Sequence, residues 1–407
     1  MSLSIKDVLL NGETTNILIE GTKITHIGEF RDAEEVIDAK GMAAIPPFIN
    51  GHTHAAMTLL RGFAEDLALA DWLKDHIWPL ENQLTEEDVY VGARLACLEM
   101  IKTGTTFFCD MYWHSQGTIR AVNEMGIRAA VSAVFIDFFD KDTAKEQIEK
   151  NKEFLVQTND RVTIMLGPHS VYTVSEESLK WIAGFAREKG LLIHIHLSET
   201  EKEVAECVAE HGVRPVHYLD DIGFLGDNVL LSHCIWVDDS EIEILKKRGC
   251  SIVHNPVSNM KLSSGVLPYE KLKGLRMMLG TDGCASNNNL DMIEEMKCAG
   301  LLQKFATGNP QSLPAREILR MAGDGSFFGL DTGLEVGSLA DLLLVDLSHH
   351  SLVPGHDLKS NLVYSARSEC IDTTICNGRV LMRGRVVEGE KEIVDAAEKT
   401  AARLVQG

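Results

Sequence analysis

The sequence predicts an α/β fold: a (β/α)8 TIM barrel with a flanking β-sandwich built from both chain ends. Three observations predict it. Eight short apolar runs recur between residues 48 and 334, amphipathic helical segments separate them, and strand patterns occupy both ends of the chain. A chain of 407 residues with 45% hydrophobic content can form a large core and a second, smaller domain.

The two chain ends are predicted to form the β-sandwich. Near the start, "NILIEGTKITHIGEF" alternates apolar and polar residues around Gly21, as antiparallel strands do. After Leu334, "GSLADLLLVDL" and "TTICNGRVLMRGRVV" return to strand and hairpin patterns, with Asn377-Gly378 as a turn. We therefore expect residues 1–47 and 335–407 to form one composite domain, with the barrel over residues 48–334.

The barrel is predicted from strand candidates and the helical segments between them. In chain order the candidates are "AIPPFING", "TTFFCDM", "RAAVSAVF", "VTIMLGPH", "GLLIHIHLSE", "NVLLSHC", "CSIVHNP" and "RMMLGTDG". Intervening stretches such as "TEEDVYVGARLACLEMIKTG" and "DSEIEILKKRG" are helical in pattern and end in Gly, which is common at helix C-termini. Eight βα units over roughly 290 residues suit a (β/α)8 barrel.

Composition excludes several classes of partner. The formal charge of -21, with no run of Lys and Arg, opposes binding to nucleic acid or to an anionic membrane surface, and favours a small-molecule partner. No apolar stretch approaches the ~20 residues of a transmembrane helix, and "MSLSIKDVLL" lacks the features of a signal peptide, so we expect a cytoplasmic protein. The nine cysteines form no CxxC pair and are expected to be buried free thiols.

Polar side chains stand where the predicted strands end, which is the active-site face of such a barrel. They are His52, His54, His169, His194, His196, Glu199, His233, His254 and Asp282. Side chains two apart on a strand share a face, so His52 and His54 can point inward together. With His196 and Asp282 they would supply the three or four ligands that zinc, and iron or manganese nearly as well, require. His194 and His254 are expected to be structural.

Five motifs carry a family resemblance: "NGHTH", "HIHLSET", "LLSHC", "HNPVSNMKL" and "GTDGCASNNNLDM". Over nearly the whole chain the sequence resembles the amidohydrolase superfamily. More closely, it is similar to the branch that includes methylthioadenosine/S-adenosylhomocysteine deaminases and the triazine chlorohydrolases. The resemblance implies a metal-dependent hydrolase barrel. The end of "VTIMLGPH" lacks the lysine whose carboxylated form usually bridges two metals in related barrels, so one divalent ion is expected: Zn²⁺ first, with Fe²⁺ or Mn²⁺ as alternatives.

The resemblance also implies a reaction, the hydrolytic deamination of an adenosine-type nucleoside to its inosine analogue and ammonia. Glu199 would protonate a ring nitrogen of the substrate, while His233 and Asp282 would orient the attacking water and take its proton. Alternatively, His233 forms a hydrogen bond to a neighbouring residue and does not contact the water directly, and the sequence does not separate these two roles.

Further positions are implied as substrate contacts: Trp72 packs on the substrate, Glu81 holds the ribose hydroxyls, His169 contacts the base, Arg161 contacts an anion or tail, and Ser286 lies at the polar edge of the substrate. A carboxylate suits a vicinal diol because it can accept two hydrogen bonds. The alternative is that Trp72 and Trp78 are apolar loop packing and Glu81 caps the following helix.

One departure from the family bears on the substrate. Members that bind the carboxylate of S-adenosylhomocysteine use a second arginine upstream of the first, and residues 137–160 contain none. Lys141 or Lys145 would replace it only as a point charge. We therefore expect a preference for 5'-methylthioadenosine, 5'-deoxyadenosine or adenosine. Alternatives are a guanine or cytosine deaminase, a chlorotriazine hydrolase, or a non-catalytic barrel. Family members are commonly dimers or tetramers, so a homo-oligomer is expected.

Overall fold

The computed structural model describes residues 2–67, 69–154 and 159–406 and contains sixteen strands in this part of the chain. The strands are β1 (Ser2–Leu10), β2 (Glu13–Glu20), β3 (Lys23–Gly28), β4 (Glu35–Asp38), β5 (Met42–Ile45), β6 (Phe48–Thr53), β7 (Thr105–Tyr112), β8 (Arg128–Phe135), β9 (Val162–Pro168), β10 (Leu192–Leu197), β11 (Val229–His233), β12 (Ser251–His254), β13 (Arg276–Leu279), β14 (Leu342–Asp346), β15 (Ile371–Cys376) and β16 (Arg379–Met382).

Helices fill most of the connections between these strands. They are α1 (Leu69–Trp72), α2 (Trp78–Glu81), α3 (Glu86–Thr103), α4 (Ser115–Met125), α5 (Lys141–Phe154), α6 (Glu176–Lys189), α7 (Glu201–His211), α8 (Pro215–Asp221), α9 (Asp239–Arg248), α10 (Pro256–Lys261), α11 (Tyr269–Leu272), α12 (Cys284–Asn287), α13 (Met292–Thr307), α14 (Ala315–Gly323), α15 (Leu358–Tyr364) and α16 (Glu390–Gln406). None of these described helices is long and apolar enough to cross a membrane.

The predicted barrel is confirmed. Strands β6 to β13 are parallel and neighbour one another in chain order, and all eight match the predicted candidates. The last strand meets the first where the backbone N–H groups of Thr281 and Asp282 donate to the carbonyl of His52, at 3.1 and 3.0 Å. Gly280 is required at this seam, because a Cβ atom there would lie 2.8 Å from the backbone nitrogen of His52. The C-terminal ends of the strands are thereby brought into one ring.

The two chain ends form the predicted flanking β domain. Its eight strands make one mixed sheet in the order β16-β15-β14-β5-β1-β2-β3, and β4 pairs with the first half of β1. Side chains such as Leu3, Ile17, Ile24 and Leu342 form its separate buried core. The Asn377-Gly378 turn between β15 and β16 has the positive φ angles, 54° and 72°, of the predicted hairpin.

Helix α16, near the C-terminus, departs from strand character and packs on the barrel helix α3. Lys102 in α3 pairs with Glu390 at 2.6 Å, and Arg403 pairs with Asp88. The domain boundaries expected at residues 47 and 334 remain predictions. The nine cysteines are all free thiols, and eight of them are buried, as expected.

Candidate active site

The strand-end side chains converge on one buried cluster at the C-terminal face of the barrel. His52 lies in β6, His196 in β10 and His233 at the end of β11, while His54 and Asp282 lie just beyond β6 and β13. The oxygen Asp282 Oδ1 is 3.4 Å from His52 Nε2 and 3.2 Å from His54 Nε2. The parallel strands of the barrel thus bring together residues that are far apart in the chain.

Two overlapping sets of donor atoms could hold a cation. His52, His54 and Asp282 form one set and His52, His196 and His233 the other, with all ligand atoms of each set within 4.8 Å of one another. His52 belongs to both sets. Its Nε2 is fully buried and makes no hydrogen bond, although the structure leaves few buried polar atoms unpaired among the described residues. This orphaned nitrogen, next to two further imidazoles and a carboxylate, fits a divalent metal ion.

The other ring nitrogens of two candidate ligands are held by backbone carbonyls. His54 Nδ1 lies 2.6 Å from the carbonyl of Met111, and His196 Nδ1 lies 2.8 Å from the carbonyl of His169. Each Nδ1 must carry a proton to donate, so in the neutral ring Nε2 is the nitrogen with the lone pair that can bind a cation.

Burial and the Asp282 carboxylate set the charges of the cluster. Desolvation lowers the pKa of His52 to about 4, which keeps this imidazole neutral. Desolvation would also lower the pKa of His54, but the hydrogen bond and attraction to Asp282 outweigh it and raise that pKa to about 9. Burial opposes ionisation of Asp282, yet the nearby imidazoles of His52 and His54 hold its pKa well below the ordinary value. The site therefore holds one carboxylate and a proton that a cation can displace.

Glu199 and His233 face each other beside this cluster. Glu199 Oε2 lies 3.8 Å from His233 Nε2, and Ser264 Oγ lies 3.4 Å from Glu199 Oε1. Burial raises the pKa of Glu199. His233 Nδ1 lies 2.8 Å from Asn259 Oδ1, so the imidazole donates there and turns its Nε2 toward Glu199.

Sequence reasoning missed three side chains that hold these groups. Asn259 orients His233, and Ser258 Oγ donates to Asp282 Oδ2 at 2.7 Å. Glu203 accepts from the backbone N–H groups of Ser198 and Glu199, each at 2.8 Å. Ser258 and Asn259 lie within the quoted motif "HNPVSNMKL", directly after β12, so their position at a strand end was the available signal.

The backbone is strained at the same place. Asp282 and His233 adopt left-handed φ angles of 61° and 74°, which are uncommon outside glycine. Such conformations cluster at functional sites because the surrounding structure holds them.

A cleft opens from the cluster, and four of the five predicted substrate contacts outside the acid/base pair line it. They are Trp72, Glu81, His169 and Ser286. Trp113 Nε1 donates to Glu81 Oε2 at 3.2 Å, and burial raises the pKa of Glu81 above its ordinary value of 4.5. Helix α3 is capped by Thr85 and Asp88, so Glu81 is not its cap.

Arg161 is not in the cleft, which corrects its predicted tail contact. It immediately precedes β9, at the opposite end of that strand from His169. Its guanidinium donates to the carbonyl of Gly126 at 2.7 Å. Lys145 pairs with Asp142 at 3.1 Å on the exposed surface of α5. Part of the upstream segment discussed above, residues 155–158, lies outside the described residues.

Comparison with known proteins agrees with this geometry. A model of the amidohydrolase family matches residues 43–381. The chain is 46% identical over 402 residues to a 5'-deoxyadenosine deaminase of Methanosarcina mazei, covering 96% of this chain and 93% of that protein. It is also 46% identical over 401 residues to 5-methylthioadenosine/S-adenosylhomocysteine deaminase 1 of Archaeoglobus fulgidus, covering 96% and 95%. The crystal structure of a Xanthomonas campestris adenosine deaminase with bound zinc superposes with a TM-score of 0.94 at 31% identity, covering 100% of this chain and 99% of that one.

Proposed function

Because the chain belongs to the amidohydrolase family, we propose that it is a metal-dependent hydrolase that deaminates adenosine-type nucleosides to their inosine analogues, releasing ammonia. The observation that carries the proposal is the buried pair of Glu199 and His233 beside the donor cluster, 3.8 Å apart. With the metal on His52, His54, His196 and Asp282, His233 would stay available as a base beside the acid Glu199, although its nitrogen also lies within the second donor set. Its position at the strand ends of this barrel agrees with the names of the similar proteins.

We propose that His52, His54, His196 and Asp282 hold one divalent ion, Zn²⁺ first and Fe²⁺ or Mn²⁺ as alternatives. The sharing of His52 between the two possible donor sets supports a single position. A zinc-bound relative of similar fold supports the choice of metal. When bound, such an ion lowers the pKa of a coordinated water so that hydroxide is available near neutral pH.

The chain's own residues would perform the proton transfers. Glu199, whose pKa burial raises, donates a proton to a ring nitrogen of the adenine, which makes the amino-bearing carbon electrophilic. His233, held by Asn259, orients the attacking water, and His233 and Asp282 are the groups that can accept its proton. That proton then leaves with the amino group as ammonia, and the proton of the added hydroxyl returns to Glu199 as the carbonyl forms.

The far end of the cleft favours a nucleoside over a free base. Glu81 is a buried carboxylate fixed by Trp113 and can accept two hydrogen bonds from a ribose diol. Trp72 supplies an apolar wall for the base. A free guanine or cytosine, or a chlorotriazine, has no vicinal diol for Glu81 to bind.

The charge of the cleft lining also affects which 5'-substituent the site would accept. Among the described residues that line it there is no Lys or Arg. We therefore propose that 5'-deoxyadenosine, 5'-methylthioadenosine and adenosine are preferred over S-adenosylhomocysteine, whose carboxylate would be left unpaired. Assembly as a dimer or tetramer and a cytoplasmic location stay predictions.

The test is a substrate panel with the metal-replete protein. Ammonia release and the adenine-to-hypoxanthine ultraviolet change would be followed for these four nucleosides, with adenine, guanine, cytosine and a chlorotriazine as controls. We expect turnover of the nucleosides, with the lowest kcat/KM for S-adenosylhomocysteine. Activity confined to a free base or a triazine would overturn the proposal, and a clear preference for S-adenosylhomocysteine would overturn the tail assignment alone.

A further inference from the structure

Among the candidate metal ligands, His52 is supported differently from His54 and His196. The last two donate from Nδ1 to backbone carbonyls. His52 Nδ1 instead lies 2.9 Å from His194 Nε2, the side chain of another histidine. Both rings are fully buried. A carbonyl can only accept a hydrogen bond, whereas an imidazole nitrogen can either donate or accept. The hydrogen bond between His52 and His194 can therefore run in either direction.

The direction decides whether His52 can bind a cation. If His52 Nδ1 donates, its Nε2 keeps a lone pair beside Asp282 and is free to coordinate. If His194 Nε2 donates instead, the proton of neutral His52 must lie on its Nε2, which removes that lone pair from the metal site.

The surroundings of His194 permit the first direction, and binding of a cation by His52 Nε2 requires it. His194 Nδ1 lies 3.4 Å from Ser132 Oγ and 3.5 Å from Cys109 Sγ, and both atoms can accept a hydrogen bond from it. Its Nε2 lies 3.0 Å from Ser232 Oγ, a hydroxyl that can donate. A His194 protonated on Nδ1 therefore has partners on both sides.

We propose that His194 is a positioning residue of the metal site: by accepting a hydrogen bond from His52 Nδ1, it fixes the tautomer in which His52 Nε2 binds a divalent cation. The inference rests on the metal site of the proposed function. It adds a buried residue that touches neither the substrate nor the metal. Because the other two imidazoles are held by main-chain atoms, His194 is a support that a substitution can remove.

The test is zinc affinity, measured by competition with a chromophoric chelator. His194→Phe removes the acceptor, whereas His194→Gln keeps an amide oxygen that can reach the position of Nε2. We expect about 10- to 100-fold weaker zinc binding in His194→Phe and a value within a few-fold of wild type in His194→Gln. The matched control is Ser232→Ala, which removes the other partner of the same nitrogen and should bind zinc within a few-fold of wild type.

Equal zinc affinity in wild type and folded His194→Phe would overturn the inference, and so would equally weak binding in the Phe and Gln variants. Should His194→Phe not fold, histidine-selective ¹⁵N NMR of the zinc-loaded wild type gives a second reading, with His194 assigned by comparison with His194→Gln. We expect a proton on His194 Nδ1, and a proton on its Nε2 would overturn the inference. A wild-type protein that binds no zinc, iron or manganese would instead count against the proposed function.

Discussion

The two ends of the cleft are built in different ways. At the metal end, ligands from separate strand ends are each fixed by a second bond, as His196 is by the carbonyl of His169. At the other end, Trp72, Trp78 and Glu81 come from a single connection between β6 and α3, and Glu81 is fixed by one indole. Under the proposed function, the barrel strand ends hold the chemistry, and one loop supplies the contacts proposed for the ribose and for one wall of the base site. Variants of the first end should change kcat, and variants of the second should change KM.

The strongest test of this division is Glu199→Gln. The amide cannot donate the proton that the adenine ring requires, so kcat should fall by about 10²- to 10⁴-fold. Metal content, measured by elemental analysis, should not change because Glu199 is outside the ligand set. Glu201→Gln, at an exposed position in the first turn of α7, is the control and should retain full activity. Full turnover in Glu199→Gln would refute the acid role.

A smaller effect is expected where a residue acts through another. Asn259→Ala removes the acceptor that orients His233, and kcat should fall by about 10- to 100-fold with little change in KM. Asn259→Asp keeps an oxygen at that position and should recover part of the loss. Steady-state kinetics measure kcat and KM for both variants. Identical kcat values for Asn259→Ala and wild type would show that Asn259 does not support catalysis.

Variants at the end of the cleft that contains Glu81 should change KM. Trp113→Phe removes the hydrogen bond to Glu81, and the loss of about 1 kcal/mol should raise KM for 5'-deoxyadenosine roughly fivefold. For 2',5'-dideoxyadenosine, which lacks half of the diol, KM should change less, and kcat should be unaffected for both. Trp181→Phe, in α6 outside the cleft lining, is the matched control. An equal rise in KM for both substrates would show that Glu81 does not bind the diol.

The smallest expected effect is a pH dependence of KM. Burial raises the pKa of Glu81, so its carboxyl stays protonated to a higher pH than an exposed glutamate. Only the ionised form accepts from both ribose hydroxyls, so KM for 5'-deoxyadenosine should fall a few-fold as pH rises through this pKa. The dependence should disappear in Glu81→Gln. A pH dependence of KM that persists in Glu81→Gln would arise from another titrating side chain.

The sequence could predict the barrel and the metal end because both rest on local signals. Each buried parallel strand is a short apolar run, and the candidate site residues lie at the ends of those runs, as His233 and Asp282 do. The prediction for Arg161 follows the family resemblance instead of the strand-end rule. Arg161 precedes β9, so the same strand-end rule places its side chain at the far side of the barrel.

Other features depend on contacts that no local pattern encodes. Asn259 reaches His233 from the turn of helix α10, and the orientation of that turn is set by tertiary packing. The direction in which α16 packs, onto α3 rather than onto the terminal sheet, is likewise decided by long-range pairs such as Lys102 with Glu390.

The seam of the barrel has a consequence for the order of folding. The carbonyl of His52 accepts hydrogen bonds from the residues that follow the last strand. Nearby, the side chain of Asn50 donates to Thr281 Oγ1 at 2.7 Å, across 231 residues of chain. The same His52 stands in both donor sets. A contact of such sequence separation costs loop-closure entropy and forms late. We therefore expect high-affinity metal uptake to follow ring closure, so that a nascent chain ending before β13 has no complete site.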